Sequence, residues 1–264
     1  MRGTTINRPY TLLAKYYDQM FNVYLPAADS VRARLLGKIL PSAASACDLA
    51  CGTGTTALEL ARQGLKVFAV DLSPAMCDIS RKKAHRARLP LVVIKADMRN
   101  FRLPEPVGLV TCEFDALNHV PNKSDLASVA GAVARALRPG GYFYFDVNNR
   151  RSFEEAWQST WWTDLPGAVI VMHGGYDRDR DKAFSDVELF IREGRHWQRF
   201  RERVEEVCWT PTEIRDALSE AGFDRVRAWD AARFFKSNPV IRAGHRTFYL
   251  ARKSPVKRGV RRGC

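Results

Sequence analysis

The sequence predicts a doubly wound α/β domain, a mostly parallel seven-stranded sheet, with an antiparallel β meander inserted late in the chain. Three observations predict it. Runs such as "KVFAV" and "VGLVTC" are continuously apolar rather than alternating, as strands covered on both faces require. These runs alternate with helical stretches as far as residue 148, the rhythm of right-handed strand–helix–strand crossovers. Beyond that point long extended runs are split by the turn-like "DRDRD" and "REG", which reads as a meander.

Each element has its own local justification. "ADSVRARLLGKIL" (28–40) sets Val31, Leu35, Leu36 and Ile39 at helical spacing. Residues 46–50 form a short strand that runs into a glycine-containing loop. A helix follows from about Thr55 to Gln63, with Gly64 past its end to terminate it. "KVFAVDLS" is the second strand, and Ser73 with Pro74 are N-cap and first-turn residues of the next helix. "LVVIKADM" and "VGLVTCEF" are the third and fourth strands. Ser124 to Leu137 is an apolar-striped helix, after which "RPGG" turns the chain into a fifth strand, "YFYFDVN". The meander contributes three runs over 168–209. The last carries Phe200, Val204 and Cys208 on one face and Trp197, Val207 and Trp209 on the other, so it has no evident buried side. Thr210-Pro211-Thr212-Glu213 is a capping box that opens a helix through Ile214, Ala217, Leu218 and Ala221, stopped by Gly222. Strands at Val226–Trp229 and Thr247–Arg252 complete the sheet. The expected division is cap helices and α/β core over 1–150, the inserted antiparallel segment over 151–210, completion of the core over 211–253 and a flexible basic tail over 254–264.

Composition narrows the function classes. Hydrophobic residues make up 46% of 264 positions, enough for a sizeable core. No apolar run is long enough to cross a bilayer, and "MRGTTINRPY" lacks the apolar stretch of a secretory signal. The six cysteines show neither disulfide nor zinc spacing: Cys47 and Cys51 have no second pair to complete a tetrahedral site. Reduced thiols, no metal and a cytoplasmic location are the expectation. The formal charge of +13 raises the question of nucleic acid, but it falls to +7 once the six cations from Arg252 onward are set aside. "RKKAHRARL" (81–89) has the cations expected where they complement the carbonyl end of a helix.

The chemistry centres on "DLACGTG" (48–54). Glycines between a parallel strand and a helix let backbone N–H groups approach a ligand with no Cβ in the way. "CGTGTTA" fits a dinucleotide fingerprint, yet Asp48 just before it would repel phosphates and favour a cation. Asp71, ending the next strand, is placed to accept from two ribose hydroxyls. A ligand with an ammonium group and a ribose, but no phosphate, suits both acids.

"DLACGTG", "VDLS", "KADM", "LVTCEFDALNHV" and "LRPGGYFYFDV" resemble, in order and spacing, the motifs of class I S-adenosylmethionine (SAM)-dependent methyltransferases, in particular the glycine and sugar N-methyltransferase branch. The resemblance covers Tyr16 to Val147 and implies a Rossmann-like sheet and SAM as cofactor. It implies that Asp48 contacts the methionine amino group, and that Ala50, Gly52 and Gly54 form the loop beneath methionine and ribose. By the same resemblance Asp71 takes the ribose hydroxyls, Leu72 and Met76 flank the adenine, Asp97 accepts from the adenine amino group and Met98 covers the ring. Tyr17, within "KYYD", belongs to an element that closes over SAM, and Glu113 lies beside the sulfonium and the acceptor. Ala50 departs from the glycine that many members carry there.

Candidates for a proton acceptor are His119 and Asp115, with Glu113 and Asn118 nearby. The expected activity is methyl transfer to nitrogen or oxygen of a small molecule, with Trp157, Trp161, Trp162, Tyr176, Phe190 and Trp197 as an apolar wall for the acceptor. The meander would serve as acceptor lid or oligomer surface. Alternatives are a tRNA or rRNA methyltransferase, carried by the positive charge, and a non-catalytic SAM-binding protein. No membrane partner is expected.

Overall fold

The computed structural model describes residues 6–235 and 244–255. In chain order its strands are β1 (Ile6–Asn7), β2 (Ser45–Leu49), β3 (Lys66–Asp71), β4 (Leu91–Lys95), β5 (Val107–Cys112), β6 (Leu137–Asn148), β7 (Thr160–Leu165), β8 (Ala168–Asp177), β9 (Lys182–Glu193), β10 (His196–Val207), β11 (Phe223–Asp230) and β12 (Arg246–Lys253). Its helices are α1 (Tyr17–Phe21), α2 (Leu25–Leu36), α3 (Leu40–Ala43), α4 (Thr55–Arg62), α5 (Pro74–Ala87), α6 (Lys123–Ala136), α7 (Arg150–Glu155) and α8 (Pro211–Glu220).

Among the described residues the strands form two sheets. The larger has seven strands in the order β11-β12-β6-β5-β2-β3-β4. β2 to β6 pair in parallel, and β12 runs antiparallel between β6 and β11. β5 is buried along its whole length, the outcome of its unbroken apolar run. One face of this sheet packs on α2 and α4 through Val31, Leu36, Leu60 and Val67. The other packs on α6 and α8 through Val129, Val133, Ile214 and Leu218. Chain order runs outward on both sides of the β2–β5 pair, so the crossover helices part there. That switch point opens a crevice at the carboxyl ends of the strands.

The expected caps form. Ser73 accepts from the Met76 amide, and Thr210 and Glu213 complete a reciprocal capping box. The "RPGG" turn does not: β6 begins at Leu137, and the glycines make an irregularity in its pairing with β5, Gly140 having φ +77°.

The smaller sheet, in the order β1-β10-β9-β8-β7, departs from expectation in two ways. β7 is an exposed edge strand, too short and unpatterned to announce itself, and β1 pairs in parallel with β10. β10 does have a buried side, made by Phe200, Glu202, Val204 and Glu206; two glutamates there conceal its apolar pattern. Leu13, Tyr16 and Met20 of the N-terminal segment pack against Ile170, Val187, Leu189 and Val204 of this sheet. The basic tail lies outside the described residues from position 256 onward. Among the described residues no helix is long and apolar enough to cross a membrane.

Candidate active site

A cavity of about 810 Å³ occupies the crevice at the ends of β2, β3 and β5. Arg8 to Thr11, Tyr17 and Phe21 of α1, and Arg203 to Glu205 of β10 cover it, so segments far apart in the sequence contribute to its walls.

The glycine loop forms its floor. Ala50, Gly52 and Gly54 all have positive φ, at +54°, +53° and +80°. A non-glycine residue in that region is held there by its surroundings at a cost of about 1 kcal/mol or more. Gly52 lines the cavity, and a Cβ there would meet nothing within 4 Å. Gly54 corrects the expectation: it is not part of the wall. It precedes α4, and a Cβ on it would lie 2.2 Å from Ser80 Oγ of α5, so close helix packing is what demands glycine.

Asp48, at the end of β2, is 2% exposed. Its Oδ1 accepts from Thr111 Oγ1 at 2.8 Å, whereas the buried Oδ2 has no partner. Burial pushes its pKa up to about 6, against the opposing Thr111 hydrogen bond. An orphaned carboxylate oxygen in a cavity wall fits a cationic donor. Asp71 accepts from the amides of Gly52 and Ser73, both at 2.8 Å, and burial raises its pKa. Each oxygen keeps a free lone pair, so it braces the loop and can still receive two hydroxyls.

Leu72 stands at the rim, 64% exposed, and Met76 and Met98 line the cavity. Asp97 also lines it, but its carboxylate is clamped by Arg99, at 3.0 Å from Nε and 2.6 Å from Nη2, and accepts the Arg99 amide. That pairing lowers its pKa. Arg99 is therefore a competitor for the role expected of Asp97.

Glu113 is buried and receives both of its hydrogen bonds from Arg32 Nη1, at 2.9 and 2.8 Å. Burial raises its pKa more than Arg32 lowers it. Arg32 itself is 3% exposed and also pairs with Asp29. Sequence reading missed it by following only the apolar stripe. Its signal was a place one helical turn from both Ala28 and Leu36, on a buried face.

His119 lines the cavity with both ring nitrogens engaged. Nδ1 lies 3.1 Å from the Glu205 carbonyl, and Nε2 lies 3.2 Å from the Tyr10 hydroxyl. A carbonyl only accepts, so Nδ1 carries the hydrogen and Nε2 is the basic atom. Asp115 lies outside the cavity wall; its Oδ1 receives Arg246 Nη2 at 2.6 Å. Of the three expected proton-handling residues, the structure brings Glu113 and His119 to the cavity and not Asp115. Asn118 is buried, donating to the carbonyls of Asn148 and Val207 as a structural tie.

The predicted aromatic wall is also corrected. None of Trp157, Trp161, Trp162, Tyr176, Phe190 or Trp197 lines the cavity, whose aromatic surface comes from Tyr10, Tyr17, Phe21 and Phe114. Burial raises the Tyr17 hydroxyl pKa, and its ring lies 4.7 Å from that of Phe21. Asp18 anchors this helix: it accepts from Thr53 Oγ1 at 2.5 Å and from Lys83 Nζ at 2.9 Å.

Residues 46–141 match a protein family described as "Methyltransferase domain". The chain is similar to YqeM of Bacillus subtilis (strain 168), which carries a provisional methyltransferase name, with 27% identity over 219 residues, covering 81% of this chain and 86% of that one. Among solved structures, an S-adenosylmethionine-dependent methyltransferase from Clostridium acetobutylicum ATCC 824 shares the fold with a TM-score of 0.75 and 23% identity, covering 93% of this chain and 99% of the other. The sugar N-methyltransferase KedS8 from Streptoalloteichus sp ATCC 53650 does so with a TM-score of 0.73 and 21% identity, over 96% of each chain.

Proposed function

We propose that the chain is an S-adenosylmethionine-dependent methyltransferase that methylates nitrogen or oxygen of a small-molecule acceptor. One observation carries the acceptor class: the cavity is covered by the chain itself, through Arg8–Thr11, α1 and β10. At about 810 Å³ it is sized for a nucleoside cofactor plus a compact partner, and a polymer would need an open groove.

SAM, when bound, supplies a methyl group made electrophilic by its sulfonium charge. The chain would hold it with Asp48 Oδ2 for the amino group, the Ala50–Gly52 backbone beneath, Asp71 for the ribose hydroxyls, and Leu72, Met76 and Met98 around the adenine. Asp97 reaches an adenine amino group only in competition with Arg99. Tyr17 and Tyr10 exclude water from above. His119 Nε2 takes the proton of the acceptor through the Tyr10 hydroxyl bonded to it, its Nδ1 hydrogen remaining on the Glu205 carbonyl. Glu113 is held at the strand end by Arg32.

KedS8 is named for a sugar nitrogen, which makes a sugar amine the first acceptor to test. The inserted segment over 151–210 acts as the acceptor lid. Its indoles Trp162 and Trp197, 69% and 52% exposed, supply a surface for self-association. Free thiols at all the described cysteines support a cytoplasmic location.

The test is incubation with methyl-labelled SAM and fractionated cell extract. Label is expected in the small-molecule fraction. Label confined to nucleic acid would favour the RNA alternative, and binding without turnover on any fraction would favour a non-catalytic role.

A further inference from the structure

Beside His119, outside the cavity wall, lies a buried charge cluster. Arg246 of β12 donates to Asp115 at 2.6 Å, to Asn148 Oδ1 at 3.1 Å, and to Asp146. Glu206 of β10, 3% exposed, accepts from Asn148 Nδ2 at 3.3 Å, and its carboxyl group lies within 4.8 Å of that of Asp115. One side-chain atom each of Asp115, His119 and Glu206 lies within 4.8 Å of the other two. The trio has the spacing of a metal site, but the Arg246 guanidinium already supplies a cation on Asp115.

Two carboxyl groups, Asp115 and Asp146, thus share one guanidinium, with Glu206 a third carboxyl beside Asp115. Asp146 also accepts the amides of Phe114 and Asp115, at 2.9 and 3.2 Å, so its oxygens are partnered from the backbone as well as by Arg246. Asp115 has the guanidinium. Glu206 has only a neutral amide and the carboxylate beside it, so it is the member of the group that holds a proton most readily. The residues facing Glu206 are Asp115 and His119 from the segment after β5, Arg246 from β12, Asn148 from β6 and Tyr10 from the N-terminal segment. Burial and Asp115 raise the Glu206 pKa, while Asn148 and Arg246 oppose them.

We propose that Asp115 and Glu206 are positioning residues that work as one carboxyl pair bearing a single negative charge, which stabilises His119 while it holds the acceptor's proton. This rests on the reading of His119 as proton acceptor. As the acceptor heteroatom bonds to the methyl carbon, the carbon–sulfur bonding pair stays on sulfur. The proton of the acceptor passes to His119 Nε2, making an imidazolium, and leaves to solvent after the product departs. The pair keeps its own proton throughout and supplies the countercharge.

A pair that shares one proton predicts a distinctive pattern. Glu206→Gln leaves the Asp115 carboxyl near His119, and Asp115→Asn leaves Glu206 without its carboxyl neighbour. Each single variant keeps one negative charge, and only the double variant removes it. Nuclear magnetic resonance of the imidazole in the S-adenosylhomocysteine complex, with His119→Gln to assign its signal among five histidines, reads this directly. The His119 titration is expected to move by less than about 0.3 unit in either single variant and down by about one unit in the double. An unmoved titration in the double, or single shifts as large as the double, overturns the pair. If the double fails to fold, infrared spectroscopy decides: a protonated-carboxyl band at neutral pH, lost in Glu206→Gln, is expected, and its absence from the unaltered protein overturns the proposal. Unchanged methyl labelling in His119→Gln instead sinks the proton-acceptor reading, and this role with it.

Discussion

Asp48 shows how far one buried oxygen can be read. Its carboxyl titrates near 6 because burial outweighs the Thr111 hydrogen bond, so the free protein keeps a proton there that the unfolded chain releases near 4. A raised carboxyl pKa means the folded state binds the proton more tightly, so this residue makes the free protein less stable as pH rises from about 4 to 6. Cofactor binding needs the anion. Affinity for S-adenosylhomocysteine is therefore expected to weaken below about pH 6, with proton release on binding that vanishes at pH 8. Calorimetry in buffers of different ionisation heat measures both. Arg32 makes the converse case: Arg32→Met leaves Glu113 buried without a partner and is expected to cost about 3–5 kcal/mol in denaturant unfolding. Adding Glu113→Leu should recover much of that loss. Asp48, Asp71 and His119 were legible because each stands at a strand end or in a motif. Arg32 and Glu206 were not, because a charge on an apolar face declares itself only once its distant partner is in place.

Among elements, the parallel strands and the capped helices were readable because their signals are local: unbroken apolar runs, Ser73, and the Thr210–Glu213 box. β1, β7 and the buried side of β10 depend on what lies opposite them. Glu202 is the clearest instance: it is 1% exposed and accepts from the amides of Leu12 and Leu13, fastening the N-terminal segment to β10. Glu202→Leu removes that acceptor. It is expected to speed amide hydrogen exchange at residues 10–20 while β2 to β5 keep their protection. Gly54→Ala brings a Cβ against Ser80 Oγ at a positive φ, so α4 and α5 must separate. A loss of about 2–4 kcal/mol is expected, with partial recovery in Gly54→Ala/Ser80→Ala, since the backbone penalty persists.

At the scale of the whole molecule the α/β class was evident from rhythm alone. The packing of the N-terminal segment on the smaller sheet was not, since no local pattern encodes an association between residues near 13 and 187. Because the cavity draws walls from both sheets, cofactor binding should stabilise them together. At a hundredfold excess over its dissociation constant, S-adenosylhomocysteine is expected to contribute about 2.7 kcal/mol and raise the melting temperature by roughly 5–10 °C. Near-ultraviolet circular dichroism and calorimetry should shift in step, and separate shifts would mean that the sheets unfold independently.

β1 lies beside Arg201 and Glu202, nearly two hundred positions downstream. On the ribosome, then, the cover over the catalytic chamber waits for strand β10 to emerge. At typical elongation rates the glycine loop is synthesised on the order of ten seconds before its roof can be assembled. For that interval the nascent polypeptide has no enclosed berth for its cofactor, so the cofactor can stabilise the finished enzyme but cannot guide the early stages of its birth.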